Sequence, residues 1–569
     1  MFRSLLTQRL LTAFQTAGVT LPEGFLPSVV LASDTRYGDY QSNAPMVLAK
    51  QLRTNPRALA QQIVEALSVA DLCEKVSIDG PGFLNFTLAP ATLAARLLST
   101  IDAPQLGVPP VPAPRTIVVD FSAPNIAKPM HVGHIRSTII GDCLARVARF
   151  VGHHVITDNH IGDWGTQFGM ILHGWKTQLD SAALDSNPIA ELLRLYKSVN
   201  AATKANPSVL DTCRLELVKL QQGDSENLAI WKRCIDLSLS QLKVIYQRLD
   251  IRFDHYLGES HYNDQLAPLV EDLLAKGIAE VSDGAVCIFF REIEALADKP
   301  CIIRKTDGGF LYATTDLATI DLRIHDWKAD EIWYVVGAPQ ELHFRQLFEA
   351  TRKRGQDANL VHIAFGSILG QDGKMFRTRS GESVGLIEVL DEAIERSSVV
   401  VADREGFTDD EKATIAETIG IGSVKYAELS QNRLTDYKFS WDKMLSLQGN
   451  TAPYLINAYV RTRAIFRKLG SDFVLPAEAT FTEAAERALA LKLAQFAEAV
   501  HDVLEDHRPN TLATYLYELA NAYHSFYEAC PVLRSEGTMR ETRLLLCEAT
   551  SRVLRAGLNL MGIKVTDRM

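Results

Sequence analysis

Apolar residues at the start of the chain recur at helical spacing, Leu5, Leu6, Leu10 and Phe14, and the pattern stops at Gly18. This predicts an amphipathic helix with a core-facing stripe. Strands follow near 28–32 and through 75–87, and helices after Asn43, after Pro56 and from residue 89, so 1–102 reads as a small α+β domain. The stretch APQLGVPPVPAPR, 103–115, carries prolines at 104, 109, 110, 112 and 114. Such a run favours an extended connector and marks a boundary. Beyond it, Ile117, Val118 and Val119 form a buried-strand run, whereas Ile135, Ile139, Leu144, Val147 and Val151 return to helical spacing. The period switches inside a turn of small residues, the pattern of a nucleotide-binding α/β sheet.

A second strand, HHVITDN, ends at the turn IGDWG, where Asp163, Trp164 and Gly165 are placed to close over a nucleotide or simply to form a Gly-bounded bend. Long helical patterns fill 176–260, and VSDGAVCIFF within the mixed stretch 261–300 looks like a hairpin, so about 176–300 reads as an insertion. The sheet resumes with GGFLYATTDLATID (308–321), IWYVVGAPQELH (332–343) and LVHIAFGSILGQDGKMFRTRSG (360–381), each read as a strand ending in polar or Gly-rich residues. The interrupted sheet domain therefore spans 116–395, and 396–569 is helical to the end.

Composition changes this picture little: 47% hydrophobic and 22% charged residues are ordinary for a multidomain globular chain. The net charge of −10 means that a nucleic-acid partner would require locally concentrated positive surface. Eight cysteines at 73, 143, 213, 234, 287, 301, 530 and 547 include no CxxC, so neither a disulfide framework nor a zinc ribbon is implied, and a reducing cytoplasm fits. No apolar run approaches the length of a membrane span. The first 22 residues, with two arginines and no acid, imitate a transit peptide, but Leu10 and Phe14 favour a folded helix.

The turn at the period switch, SAPNIAKPMHVGH over 122–134, holds the chemistry. Helix N-termini leave backbone N–H groups free and favour anions, and here they are joined by Lys128, His131 and His134. Gly133 removes a side chain where a nucleotide would approach. Neither GxxxxGK nor GxGxxG is present. A metal pair at His131 and His134 is the alternative, without a zinc-type third ligand nearby. Asp120 and Asp316 end the first strand and a later turn; each has the composition of a cap or turn former, and together they fit a cation pocket.

His131-Val-Gly-His134 resembles the His-Ile-Gly-His signature of class I aminoacyl-tRNA synthetases, and the thirteen-residue run 122–134, with IRSTIIGD and NHIGDWGTQFG after it, is similar to the arginyl-tRNA synthetases. The resemblance implies a multidomain α/β fold: a Rossmann-type catalytic domain with a helical insertion, an N-terminal α+β domain that contacts the tRNA elbow, and a C-terminal all-α anticodon-binding bundle. It also implies ATP-dependent activation of L-arginine and transfer to the terminal 2′-hydroxyl of tRNA(Arg), by a cytoplasmic monomer. Magnesium would travel with ATP, with no dedicated protein metal site. His131 and His134 are then expected on the α-phosphate. The family's second signature is altered to Lys374-Met-Phe-Arg377-Thr-Arg379, so Lys128 is the expected pyrophosphate-side cation, with Lys374, Arg377 and Arg379 supporting it. Asp120, Asn125, Tyr312, Asp316 and Gln340 match arginine-binding positions. Tyr454, Tyr527 and Arg461 of the bundle are expected to stack on bases and meet phosphate, and the loop 34–43, with Arg36, Tyr37 and Tyr40, has a similar composition.

Overall fold

The computed structural model describes residues 1–370, 372–374 and 384–569. The chain forms two compact units: one of Met1–Pro110 with Ser446–Asn559 and Lys564–Met569, the other of Val111–Leu445 with Leu560–Ile563.

In the first unit, β1 (Val30–Leu31), β2 (Tyr40–Ser42), β3 (Cys73–Asp79) and β4 (Phe83–Leu88) form a sheet of order β1-β2-β4-β3. The opening helix, Phe2–Thr16, buries Leu6, Leu10 and Phe14 of its predicted stripe, with Phe2 and Ala13, while Leu5 is exposed. The expected strand through 75–87 is a hairpin of β3 and β4, paired from Cys73↔Leu88 to Asp79↔Phe83. Tyr40 is fully buried with its hydroxyl on the Glu498 carboxylate, so it cannot stack on a base; Arg36 and Tyr37 remain exposed.

The second unit is built on a parallel sheet of β5 (Thr116–Asp120), β6 (His154–Asp158), β10 (Glu331–Tyr334) and β11 (Asn359–His362), in the order β11-β10-β5-β6. Strand order reverses between β5 and β10, and at such a switch point the loops beyond the strand ends part to leave a crevice. Between the two halves stand the insertion helices and an antiparallel sheet of β7 (Glu280–Ser282), β8 (Ala285–Ile288) and β9 (Cys301–Arg304). The hairpin predicted in VSDGAVCIFF is β7–β8, turned by Asp283 and Gly284 at φ 49° and 78°, the left-handed pair a two-residue turn demands. The insertion helices begin at side-chain caps: Asn187, Asn206 and Asp224 each accept a backbone N–H of the helix they start.

Two expectations are corrected. The sequence pattern predicts a strand over 308–321, but Tyr312–His325 is a helix, whose buried Ala313, Leu317 and Ile320 follow a three-to-four-residue period. Asp316 therefore lies on a helix, not in a turn. The boundary expected near 395 also moves, since the sheet-bearing unit continues to Leu445. Helices Leu386–Ala402 and Asp409–Leu429 pack against one another, and the latter packs on the helix Gly133–Phe150. A short parallel pair, β12 (Ile368–Leu369) and β13 (Tyr437–Lys438), lies in the same unit.

Candidate active site

At the carboxyl edge of the sheet, the register aligns His362, Tyr334, Asp120 and Asp158 in one row across four strands. The loop leaving β5 there is strained, with Ser122, Ala123 and Ala127 at φ 75°, 44° and 60°. Left-handed backbone at non-glycine residues costs energy, so surrounding bonds must hold it. They do. Ser122 donates its N–H to Ser137 Oγ at 2.9 Å, and Ser122 Oγ meets Thr138 Oγ1 at 2.9 Å and the Tyr246 hydroxyl at 2.8 Å. Ala123 N–H reaches Asn159 Oδ1 at 3.1 Å, and Ser137 Oγ donates to the Val335 carbonyl at 2.6 Å. Ser137 and Thr138 thus join the loops after β5 and β10, the two that flank the switch point.

The two signature imidazoles are fixed by the same turn. His134 Nδ1 accepts the His131 N–H at 3.1 Å, and His131 Nδ1 accepts the Gly133 N–H at 3.1 Å. An Nδ1 that accepts leaves the proton on Nε2, so each neutral ring presents an Nε2–H donor. Burial holds both below the usual histidine range, His134 at about 4, with the neighbouring His131 adding to its shift. A Cβ on Gly133 would stand 2.8 Å from His131 Cε1, so any other residue would displace this ring.

Asn125 and Lys128 line a cavity of about 380 Å³ closed by Ser238 and Gln241 of the insertion and by the start of the Leu386 helix. The Lys128 ammonium lies 4.9 Å from the Tyr196 ring centroid. Lys374 is exposed, its carbonyl accepting the Gly370 N–H at 2.7 Å. Arg377 and Arg379 lie outside the described residues.

The acidic side of the site departs from the sequence reading. Asp120 is buried, and its carboxylate meets a guanidinium of its own chain: Arg323 Nη2 donates to Asp120 and to Asp158, each at 2.7 Å. Burial pushes the Asp120 carboxyl up against the pull of Arg323. One oxygen of Asp120, Oδ2, is thus held by Arg323 beneath the strand ends. Asp316 and Tyr312 are brought together one helical turn apart, and Asp316 Oδ2 lies 2.6 Å from His343 Nε2 on the helix Glu341–Lys353, which starts immediately after Gln340. Tyr312 and Gln340 are exposed.

The structure adds Glu259, which the sequence reading passed over. Its carboxyl is pushed up to about 8, first by burial and then by the charges of Asp163 and Asp316. Asp163 is held on the same short segment, accepting Ser260 N–H at 2.9 Å and Ser260 Oγ–H at 2.6 Å. The IGDWG turn is thereby tied to residues 258–260. A carboxyl group under strain from two neighbouring anions is a place where a cation is welcome.

The family model for class I tRNA synthetases (R), catalytic domain, matches residues 102–441, more than half of the chain. The chain belongs to the arginyl-tRNA synthetase family. The family's N-terminal domain model matches 4–88, and the DALR anticodon binding domain model matches 455–569. An arginine–tRNA ligase of Chromobacterium violaceum is 44% identical over 574 residues, covering 99% of both chains, and one of Thermobifida fusca is 46% identical over 551 residues, covering 94% of each. The crystal structure of the arginyl-tRNA synthetase from Plasmodium falciparum superposes with a TM-score of 0.87 at 27% identity, over 100% of this chain and 99% of that one.

At the start of the region matched by the anticodon-binding model, Tyr454, one residue before it, and Arg461, inside it, are drawn together. The Tyr454 hydroxyl donates to Asn521 Oδ1 at 2.6 Å, its ring is 5.1 Å from that of His524, and Arg461 Nη1 is 3.2 Å from His524 Nδ1. Tyr527 is 42% exposed with its ring 6.1 Å from that of Tyr523. These side chains offer a synthetase partly exposed ring edges beside a guanidinium. All eight cysteines are buried and free, and no helix among the described residues is long and apolar enough to cross a membrane.

Proposed function

We propose that this chain ligates L-arginine to tRNA(Arg) at the expense of ATP, in the site where the β5 and β10 loops meet. The observation that carries the reading is the pair of neutral Nε2–H donors held by backbone N–H groups at the switch point. In the first step, the arginine carboxylate displaces pyrophosphate at the α-phosphate of ATP. In the second, the 2′-hydroxyl of the terminal adenosine takes the arginyl group and AMP leaves. Neither step calls for a covalent enzyme intermediate; the work is positioning and stabilisation of charge on phosphate oxygens. His131 and His134 donate to the α-phosphate, Gly133 lets the nucleotide approach, and Lys128 with Lys374, Arg377 and Arg379 attracts the pyrophosphate side. Magnesium enters with ATP. Asp316 and Glu259 receive the guanidinium, with Tyr312, Asn125 and Gln340 bounding the arginine. Asp120 acts at one remove, through Arg323. Tyr454, Tyr527 and Arg461 contact tRNA, residues 1–102 approach its elbow, and the enzyme acts as a cytoplasmic monomer.

Arginine-dependent ATP–pyrophosphate exchange, run with and without tRNA(Arg), tests this. Exchange with arginine and not with lysine or citrulline is expected; no exchange under any condition, with tRNA still bound, would mark a catalytically silent relative. Loss of a charge-assisted hydrogen bond costs about 1.5–3 kcal/mol, so Asp316→Asn should raise the KM for arginine about 10- to 100-fold and leave that for ATP within about threefold. Equal changes in both would remove the specificity role.

A further inference from the structure

His343 is assigned no part in the mechanism above, yet it makes a close polar contact in the acidic pocket. Its Nε2 lies 2.6 Å from Asp316 Oδ2, and the two side chains are 27% and 20% exposed, so the pair opens to the site without being freely solvated. Asp316 uses one oxygen on this bond and keeps the other for a ligand. Nδ1 of the ring has no hydrogen-bond partner among the described residues. The ring can therefore gain or lose a proton at Nδ1 while the Nε2–H bond to Asp316 stays in place.

We propose that His343 is a positioning residue of the arginine pocket, and that binding of the guanidinium drives a proton off its imidazolium. This rests on the reading that Asp316 receives the guanidinium. When His343 is protonated, the pair with Asp316 is neutral overall; when the Nδ1 proton leaves to solvent, the pair carries one negative charge in the same geometry. An arriving cation selects the second state, because the Coulomb energy of two positive groups flanking one carboxylate is removed with the proton. The groups around the pair agree. Asp316 faces it from the Tyr312 helix and Glu341 lies on its own helix; His362 and Tyr334 flank it from the sheet, Cys301 from β9, and Glu259 from the short helix 259–262. Burial pushes Cys301 up to about 12 and raises Tyr334 also, while it lowers His362, so these three stay neutral near pH 7. Burial alone would lower His343 too, but the bond to Asp316 and its charge hold it above the ordinary histidine range. Glu259, pushed up to about 8, is the second proton store, and it responds to a cation in the same direction.

The sign follows from linkage: a ligand that expels protons binds more tightly as pH rises, by up to about tenfold per pH unit for each proton. Titrating the full-length chain with L-arginine at pH 6, 7 and 8, in buffers of different ionisation enthalpy, gives affinity and proton release together. Wild type should tighten about tenfold or more from pH 6 to 8 and release protons, and neutral L-citrulline should show no such slope. His343→Gln keeps an N–H donor near Nε2 but no titrating proton. Its affinity should fall less than that of wild type between pH 8 and pH 6, with fewer protons released, and adding Glu259→Gln should flatten the rest. No proton release by wild type would overturn the proposal whatever the variants do. So would a full wild-type slope in His343→Gln. If Asp316→Asn leaves arginine affinity unchanged at pH 8, the underlying reading fails instead; if it weakens binding tenfold while His343→Gln keeps the full slope, that reading stands and the proton coupling alone falls.

Discussion

His131 and His134 show how one turn can settle both the orientation and the proton of a side chain. Each Nδ1 is spent on a backbone N–H, so each ring is a neutral donor through Nε2 and not a cation. A stability consequence follows for His134, whose value falls from 6.5 to about 4 on folding. The unfolded chain binds this proton first, so stability rises with pH across that window and drains away as the pH drops from about 6.5 toward 4. His134→Asn should flatten that part of a urea-melt series collected between pH 4 and pH 7, and an unchanged pH dependence would mean that the ring is solvated. The imidazoles, Gly133 and Lys128 were legible in the sequence because they stand within seven residues of each other. The partner of Asp120 was hidden for the opposite reason: the guanidinium on its carboxylate lies 203 positions away, and nothing local announces it. Glu259 is not legible in the sequence because its character comes from burial and then from Asp163 and Asp316, both distant in the chain.

Among the elements, the helix Gly133–Phe150 carries more than the signature. Arg136, one turn in, is 1% exposed and lies 3.2 Å from Glu428 on the helix Asp409–Leu429. Its Nη1 donates to the Thr435 carbonyl at 3.0 Å, the Tyr437 ring lies 5.4 Å away, and the Tyr437 hydroxyl meets Glu428. Through these contacts the first signature is braced against the β12–β13 pair, whose register couples Ile368 to Tyr437. Burial raises Glu428 to about 7, against the pull of Arg136. Removing one partner strands the other's charge, so Arg136→Met should cost about 3–5 kcal/mol, and Arg136→Met with Glu428→Leu should recover most of it. Thermal unfolding of the two variants checks this; equal losses in both would show that the pair is not coupled. Helices with clear stripes were readable from sequence, but Tyr312–His325 was not, since its apolar density next to other strands imitates a buried strand and only packing decides.

At the scale of the whole molecule, the first unit is assembled from the two ends of the chain. Glu498, 2% exposed, accepts the Arg3 N–H at 2.8 Å and the Tyr40 hydroxyl at 3.1 Å, while Arg487 grips Asp39 at 2.7 Å and Arg552 reaches Asp102 at 2.6 Å. Tyr40→Phe leaves the buried carboxylate short of a donor, and a bond to a charged group is worth about 1.5–3 kcal/mol. Amide hydrogen exchange of the full chain should show faster opening over residues 1–110 and 446–559 and no change over 111–445. Uniform acceleration would mean that the units do not open separately. The proline-rich connector was readable as a boundary, but composition gave no sign that the segments on either side of the catalytic region fold as one body.

That arrangement also sets a schedule. Residues 1–110 leave the ribosome before their partner surface, which begins at Ser446, with 335 residues between. At about 5–20 residues per second, the early segment waits on the order of tens of seconds for its counterpart. Throughout that interval the hydroxyl of Tyr40 and the carboxylate of Asp39 face solvent or a chaperone instead of Glu498 and Arg487, so a stalled or truncated nascent chain displays a half-built interface from its first domain onward.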